Sequence, residues 1–100
     1  MTKPQYHHAA AAKLRELARR DDVEIVITYH CQQRMELRGI LLPDVMHILE
    51  TGTVTNEELH PGGNRHTVEG STVDGDRISL VVVIHESKRK IYTITVWDTE

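Results

Sequence analysis

Four β-rich segments after Gly52 limit the fold of this chain more than any other feature of the sequence. They cover residues 53–60, 65–73, 77–85 and 90–97. The turn signals between them are PGGN at 61–64, DGD at 74–76 and ESKR at 86–89. Connections this short join antiparallel neighbours, so the segments predict a four-stranded, mostly antiparallel sheet.

The residues before Gly52 predict helices. Residues 5–20 are rich in Ala, Leu, Arg and Glu, which are strong helix formers. Residues 23–28 are β-branched and predict a short strand or an extended lead-in. A second helix then ends before Gly39, and a third covers residues 44–51. We therefore predict an α+β domain with N-terminal helices packed on one face of the sheet. Its two parts are an N-terminal helix at 1–22 and an α+β unit at 23–100.

Composition excludes several classes of protein. The chain has 100 residues, 39% hydrophobic and 27% charged, as expected of one globular domain. Its net charge of −3 argues against a protein that binds nucleic acid over a broad surface, so any contact with an anion must be local. No apolar run approaches the ~20 residues of a membrane span. Together with a single cysteine, this predicts a cytoplasmic protein with no membrane partner.

The segment YHCQQRMELRG at 29–39 places titratable side chains at intervals of four residues. On a helix His30, Arg34 and Arg38 lie within ~80° of each other. The apolar residues Cys31 and Met35 flank this arc on one side. We therefore predict that the three side chains line a cleft between the second helix and the sheet.

Two interpretations of this trio remain open. In the structural one, Glu57, Glu58, Glu69 or Asp76 pairs with the cations, or their aliphatic stems cover the core while their charged tips stay in water. In the functional one, the cleft binds a phosphodiester. An imidazole can then move a proton, and two guanidiniums can neutralise phosphoryl oxygens in the transition state.

The same residues carry a resemblance to a known family. The run ITYHCQQRMELRGI, followed by LPDVMHILETG, resembles the bacterial family called domain of unknown function 4258. Arg65 at the start of a strand, the turn at Asp74 and Gly75, the strand LVVVI and the terminal ITVW also fit that family. The family is similar to the RelE, barnase and colicin class of ribonuclease toxins, which implies a RelE-like fold.

The resemblance also implies a function. It implies a metal-independent endoribonuclease toxin without a cofactor, acting on RNA that is free or on the ribosome, with a cognate antitoxin as protein partner. In this reading His30 is the acid–base group, Arg34 and Arg38 hold the scissile phosphate, and Arg65 and Thr95 bind substrate. The alternative is a non-catalytic protein-binding module on the same fold, an inhibitor or antitoxin-like partner, which the acidic net charge favours.

Other residues invite weaker hypotheses. Seven histidines suggest a metal, but no metal-binding spacing such as HExxH occurs, and we predict no metal site. Cys31 is expected to be a small buried hydrophobe. The PGGN loop is flexible and can lie over a ligand. Strict alternation along the last strand places Thr95 and Trp97 on one face with Thr93. Trp97 is then either a stacking platform for a base or a cover for the edge of the core.

Overall fold

Three helices and five strands make up residues 8–99, the part of the chain that the computed structural model describes. Of His8 only the backbone is described, and residues 5–7 of the predicted first helix lie outside the described range. The elements are α1 (His8–Ala18), β1 (Glu24–Ile27), α2 (Tyr29–Arg38), α3 (Leu42–Thr51), β2 (Thr53–Glu58), β3 (Arg65–Ser71), β4 (Arg77–His85) and β5 (Lys90–Asp98). Within the described range no helix has both the length and the apolar character needed to cross a membrane.

The last four strands form the antiparallel meander that the turn signals predict. β2 pairs with β3, β3 with β4 and β4 with β5, each in antiparallel orientation. In the turn between β3 and β4, Gly75 has a φ of 95°, a conformation open to glycine because it has no Cβ. The α+β class is confirmed.

A fifth strand corrects the predicted four-stranded sheet. β1 lies beside β5 and runs parallel to it, so the sheet is open and mixed, in the order β1-β5-β4-β3-β2. The register pairs Ile25 with Ile91 and Ile27 with Thr93. Parallel partners are joined by a long crossover and not by a hairpin turn. The sequence around β1 therefore contains no local signal for this pairing.

One apolar core lies between the three helices and a single face of the sheet, as predicted. Each fully buried Leu, Ile or Val side chain in it stabilises the fold by roughly 1.5–3 kcal/mol. The helices contribute Leu14, Cys31, Met35, Val45, Ile48 and Leu49, and the sheet contributes Val54, Val68, Ile78, Leu80, Val82, Ile91 and Val96. None of the described helices covers the opposite face, which we call the open face.

A β-bulge interrupts the pairing of β5 with β4. Thr93 is the partner of Val82, whereas Thr95 is the partner of Val81. Ile94 is thus an extra residue on β5, and two residues of this strand oppose one on β4. The alternation of side chains between the two faces changes phase at this point.

The phase change decides which residues of β5 reach the core. Ile91 and Thr93 are fully buried before the bulge, and Val96 is buried after it. Thr95 and Trp97 therefore lie on the open face. The prediction that strict alternation places them on one face with Thr93 is wrong, because the bulge adds one residue between them.

Thr28 connects this bulge to the start of α2. Its Oγ1 donates a hydrogen bond to the carbonyl oxygen of Ile94, at 2.9 Å, and accepts one from the backbone N–H of Cys31, at 3.2 Å. The first bond satisfies the carbonyl of the bulged residue. The second caps the helix N-terminus, where backbone N–H groups lack partners within the helix. One hydroxyl thus fixes α2 against β5.

We expect Thr28→Ala to lower the free energy of unfolding by about 1–3 kcal/mol, because it removes both a helix cap and a hydrogen bond to the bulge. Thr28→Ser keeps the hydroxyl and is the matched control, with a smaller loss. Urea denaturation of the three proteins measures the difference. Equal stability of the Ala and Ser variants would contradict the role of the hydroxyl.

Candidate active site

The predicted trio on α2 lies on the surface. Cys31 and Met35, one helical turn apart, are the buried residues of α2, whereas His30, Arg34 and Arg38 are exposed. The prediction that the three side chains line one cleft between α2 and the sheet is wrong: His30 and Arg34 lie on the outer surface of α2, and only Arg38 reaches a groove beside the sheet. Cys31 and Met35 pack into the core, and this contact sets the rotation of α2 about its own axis. The catalytic role of the trio stays a prediction.

His30 and Arg34 share a shallow groove on the outer surface of α2. The other residues that line it, Gln33, Glu36 and Leu37, belong to the same helix, and Leu37 is 78% exposed. No described residue of the sheet lines this groove. A phosphate bound there would be held from one side only, in water, where each ionic contact contributes little.

Arg38 faces a different groove. Its Nε lies 3.6 Å from Oδ2 of Asp98, and Asp44, Asp74 and Asp76 line the same groove. These carboxylates make the surroundings of Arg38 unfavourable for a phosphate. The three side chains of the trio thus do not line one common pocket.

A pocket of about 220 Å³ lies instead on the open face of the sheet. We call it the open-face pocket. The loop after β2 forms one wall, and strands β3, β4 and β5 form its floor. Its lining residues are His60, Gly62 and Gly63 from the loop and Arg65, Val83, His85, Tyr92 and Ile94 from the strands.

The strand register brings the floor of this pocket together. Arg65 of β3 is the partner of Val83 on β4, and Val83 is the partner of Tyr92 on β5. Partners on neighbouring strands point to the same side of a sheet, so these side chains form one row. The ring of His85 meets that of Tyr92 edge to face, with centroids 5.2 Å apart at 81°.

The PGGN loop lies over this row. The backbone N–H of Gly62 donates to Nδ1 of His60 at 3.4 Å, which holds the imidazole against its own turn. Gly63 has a φ of 124°, and a Cβ on it would lie 2.7 Å from Cγ1 of Val83. Only glycine lets the loop approach the sheet this closely. A ligand covered by this loop, as the sequence suggested, would lie in the open-face pocket.

Arg65 is the cation of the open-face pocket. Within residues 8–99 its guanidinium makes no hydrogen bond and no ion pair with a protein carboxylate, and the residue is partly buried. A partly desolvated guanidinium without a protein partner attracts a planar or tetrahedral anion, to which it can donate two parallel hydrogen bonds. Two imidazoles and a phenol line the same pocket, so it contains side chains of the types that bind anions and transfer protons.

The two predicted substrate-binding residues lie on the same face. Arg65 is in the pocket, and Thr95 is in the next row of side chains, as the partner of Val81. The structure therefore brings Arg65 and Thr95 together on the open face and separates both from the trio on α2. Their role in binding substrate stays a prediction.

Sequence reasoning did not identify His60, His85 and Tyr92 as site residues. It considered His60 and His85 only as metal ligands, whereas no group of three or more His, Cys, Asp or Glu within residues 8–99 can hold a metal ion. The feature of the sequence that indicates this pocket is the PGGN loop, since a loop with two glycines between strands can approach the sheet closely. Which residues lie beneath it depends on the register of β3, β4 and β5, which the sequence does not give.

We expect His30→Ala and Arg34→Ala to change the free energy of unfolding by less than about 0.5 kcal/mol, because both side chains are exposed. Met35→Ala, on the buried side of the same helix, should cost about 2–5 kcal/mol. Urea denaturation of the three variants checks this. A loss of several kcal/mol at Arg34 would instead indicate a structural ion pair.

Burial determines the chemistry of Cys31. It raises the pKa of the thiol to about 11 from its ordinary value of 9.0, so the neutral thiol dominates near pH 8 and is a poor nucleophile. The residue is fully buried, which confirms the expectation of a small hydrophobe.

We expect Cys31 in the folded protein to resist alkylation by iodoacetamide at pH 8 and to react in urea. Because folding favours the neutral thiol, its contribution to stability is complete below about pH 9 and is lost as the pH rises toward 11. Mass spectrometry follows the alkylation. Urea denaturation of wild type and Cys31→Ala at several pH values isolates the contribution of the thiol. Rapid alkylation of the folded protein would contradict its burial.

Comparison with known proteins assigns this chain to a family. Neither the curated proteins nor the solved structures contain a match to the chain. A family model described as "Domain of unknown function (DUF4258)" matches residues 27–98. The match covers α2, α3 and the four antiparallel strands, and thus the whole open-face pocket. Because it spans well over half of the sequence, the chain belongs to the DUF4258 family.

Proposed function

We propose that this protein is an endoribonuclease whose active site is the open-face pocket. The observation that carries the proposal is that one pocket contains His60, His85 and an Arg65 with no ion-pair partner within residues 8–99. Two imidazoles and a guanidinium are the groups needed to transfer protons to and from a phosphodiester while its negative charge is stabilised. The resemblance to RelE, barnase and colicin toxins that the sequence motifs imply favours the same reaction class.

The proposed reaction is a transesterification within RNA. One neutral imidazole removes the proton from a ribose 2′-hydroxyl, and O2′ forms a bond to the adjacent phosphorus. The P–O5′ bond breaks, and the second imidazole, in its protonated form, donates a proton to O5′. The products are a 2′,3′-cyclic phosphate and a 5′-hydroxyl, and the proton taken from one oxygen is balanced by the one given to the other. DNA lacks the nucleophile.

Arg65 stabilises the charge that builds on the phosphoryl oxygens. Its position in the same row as Val83 and Tyr92 places the guanidinium at the floor of the pocket. The phenol of Tyr92 can donate a further hydrogen bond, and its edge contact with His85 orients the imidazole. Each of these groups interacts more strongly with the charge of the transition state than with that of the bound substrate, and this difference is what accelerates a reaction.

The charge of the chain fits a local contact with RNA. A net charge of −3 gives no broad attraction to nucleic acid, so binding depends on the pocket. In a toxin–antitoxin pair, an antitoxin would block this pocket, and the ribosome would present mRNA to it. RNA and a cognate antitoxin are the partners of this proposal.

One observation favours a second candidate, a non-catalytic protein-binding module. Leu37, Leu41 and Leu42 bracket the turn between α2 and α3 and are 78%, 65% and 50% exposed. Exposed apolar residues that occur together mark surfaces for protein partners. This surface lies apart from the open-face pocket, so a partner bound there leaves the pocket free.

We expect purified protein to cleave single-stranded RNA to a 2′,3′-cyclic phosphate, alone or with ribosomes. His85→Ala and His60→Ala should each lower the rate by about 10²–10⁴-fold, through loss of proton transfer. Arg65→Ala should lower it by about 10²–10³-fold, through loss of charge stabilisation. Gel assays with end-labelled RNA and chromatography of the products measure both effects.

The matched control is His47→Ala, which removes an exposed histidine of α3. It should leave the rate unchanged, and thermal melts should show that every variant folds. Loss of activity in His30→Ala with normal activity in His85→Ala would move the reaction to α2. Wild-type protein that leaves RNA intact in both conditions would favour the binding module.

A further inference from the structure

Trp97 is the only tryptophan of the chain, and it lies on the open face. It is the partner of Ser79 on β4, and Ser79 is the partner of Glu69 on β3, so the three side chains form one row. Trp97 as a whole residue is 37% exposed. It does not fill the core, because its neighbour Val96 points there instead.

One further row of side chains on the open face connects this row to the open-face pocket. The row between them consists of Thr67, Val81 and Thr95, which are partly buried and carry no charge. Arg65 in the pocket and Glu69 beside Ser79 are four positions apart on β3, which corresponds to ~13 Å along the strand. A mononucleotide bound at Arg65 does not reach Trp97.

We propose that this surface binds a single strand of RNA, with one base stacked on the indole of Trp97 and the scissile phosphate at Arg65. The inference rests on the proposed function and specifies that the substrate is single-stranded RNA. It assigns Trp97 as a residue that positions a base, and Thr95 as a hydroxyl that the strand passes on its way from the pocket.

The groups at the two ends of the surface support a single strand. Arg65 offers a phosphate a cation that has no carboxylate partner within residues 8–99. At the other end the indole offers an apolar face, in the row that also contains Glu69. Each base of a single strand exposes a π-face that stacks on an aromatic side chain. In a duplex those faces are covered by neighbouring base pairs, so duplex RNA cannot use Trp97 in this way.

The intrinsic fluorescence of the single tryptophan tests the inference directly. The probe is a dye-labelled, mixed-sequence RNA of about eight nucleotides with every 2′-hydroxyl methylated, so that it cannot be cleaved. We expect saturable quenching of Trp97 by this strand and no quenching by its duplex. Fluorescence anisotropy of the dye measures affinity independently of the tryptophan.

Substitutions then separate stacking from packing. Trp97→Ala should weaken binding by about 5- to 150-fold, the effect of losing one stacked base. Trp97→Phe keeps an aromatic ring and should recover most of the affinity. Tyr29→Ala removes another exposed aromatic side chain, on α2 and away from the open face, and should bind as wild type. Thermal melts confirm that each variant folds.

The outcomes distinguish this inference from the proposed function. Quenching and Trp97-dependent binding by a protein that does not cleave RNA would retain the binding surface and reject the nuclease. Cleavage of RNA by wild type and Trp97→Ala at equal rates, or binding without quenching, would reject the surface and retain the nuclease. Absence of binding to the methylated strand would also overturn the inference.

Discussion

The hydrogen bond from Thr28 to the carbonyl of Ile94 joins the two halves of this fold. An extra residue in β5 leaves a carbonyl without its usual partner on the neighbouring strand, and the hydroxyl of Thr28 satisfies it at 2.9 Å. The same hydroxyl caps α2. The bulge sets which residues of β5 face the core, and the cap sets where α2 begins above them.

The candidate site occupies the face of the sheet that the helices leave uncovered. The helix-covered face is filled by aliphatic side chains, because a polar group buried there without a partner costs free energy. On the open face His85, Arg65 and Tyr92 project beside valines, and the PGGN loop shields them on one side. Partial shielding lowers the local dielectric and strengthens the interaction of a cation with an anion.

Three arginines of the chain differ in their carboxylate neighbours, and this difference decides which of them is suited to bind an anion. Arg38 lies 3.6 Å from Asp98 within a groove of carboxylates, whereas Arg65 has no carboxylate partner within the described residues. Arg34 is exposed on a single helix. An acidic protein that binds RNA needs a cation whose charge its own carboxylates do not neutralise. Among these three residues, Arg65 lies in the open-face pocket and forms no ion pair within the described residues, with Glu58 as its cross-strand neighbour on β2.

The sequence alone determined the α+β class, the antiparallel order of β2–β5 and the burial of Cys31, because turn residues and apolar periodicity act locally. It also contained the family pattern over residues 27–98. Tertiary structure alone decided the parallel β1–β5 pair, the rotation of α2 that exposes His30, and the row of Arg65 beneath the loop. These depend on contacts between residues far apart in the chain and on one inserted residue at Ile94, which no local pattern encodes.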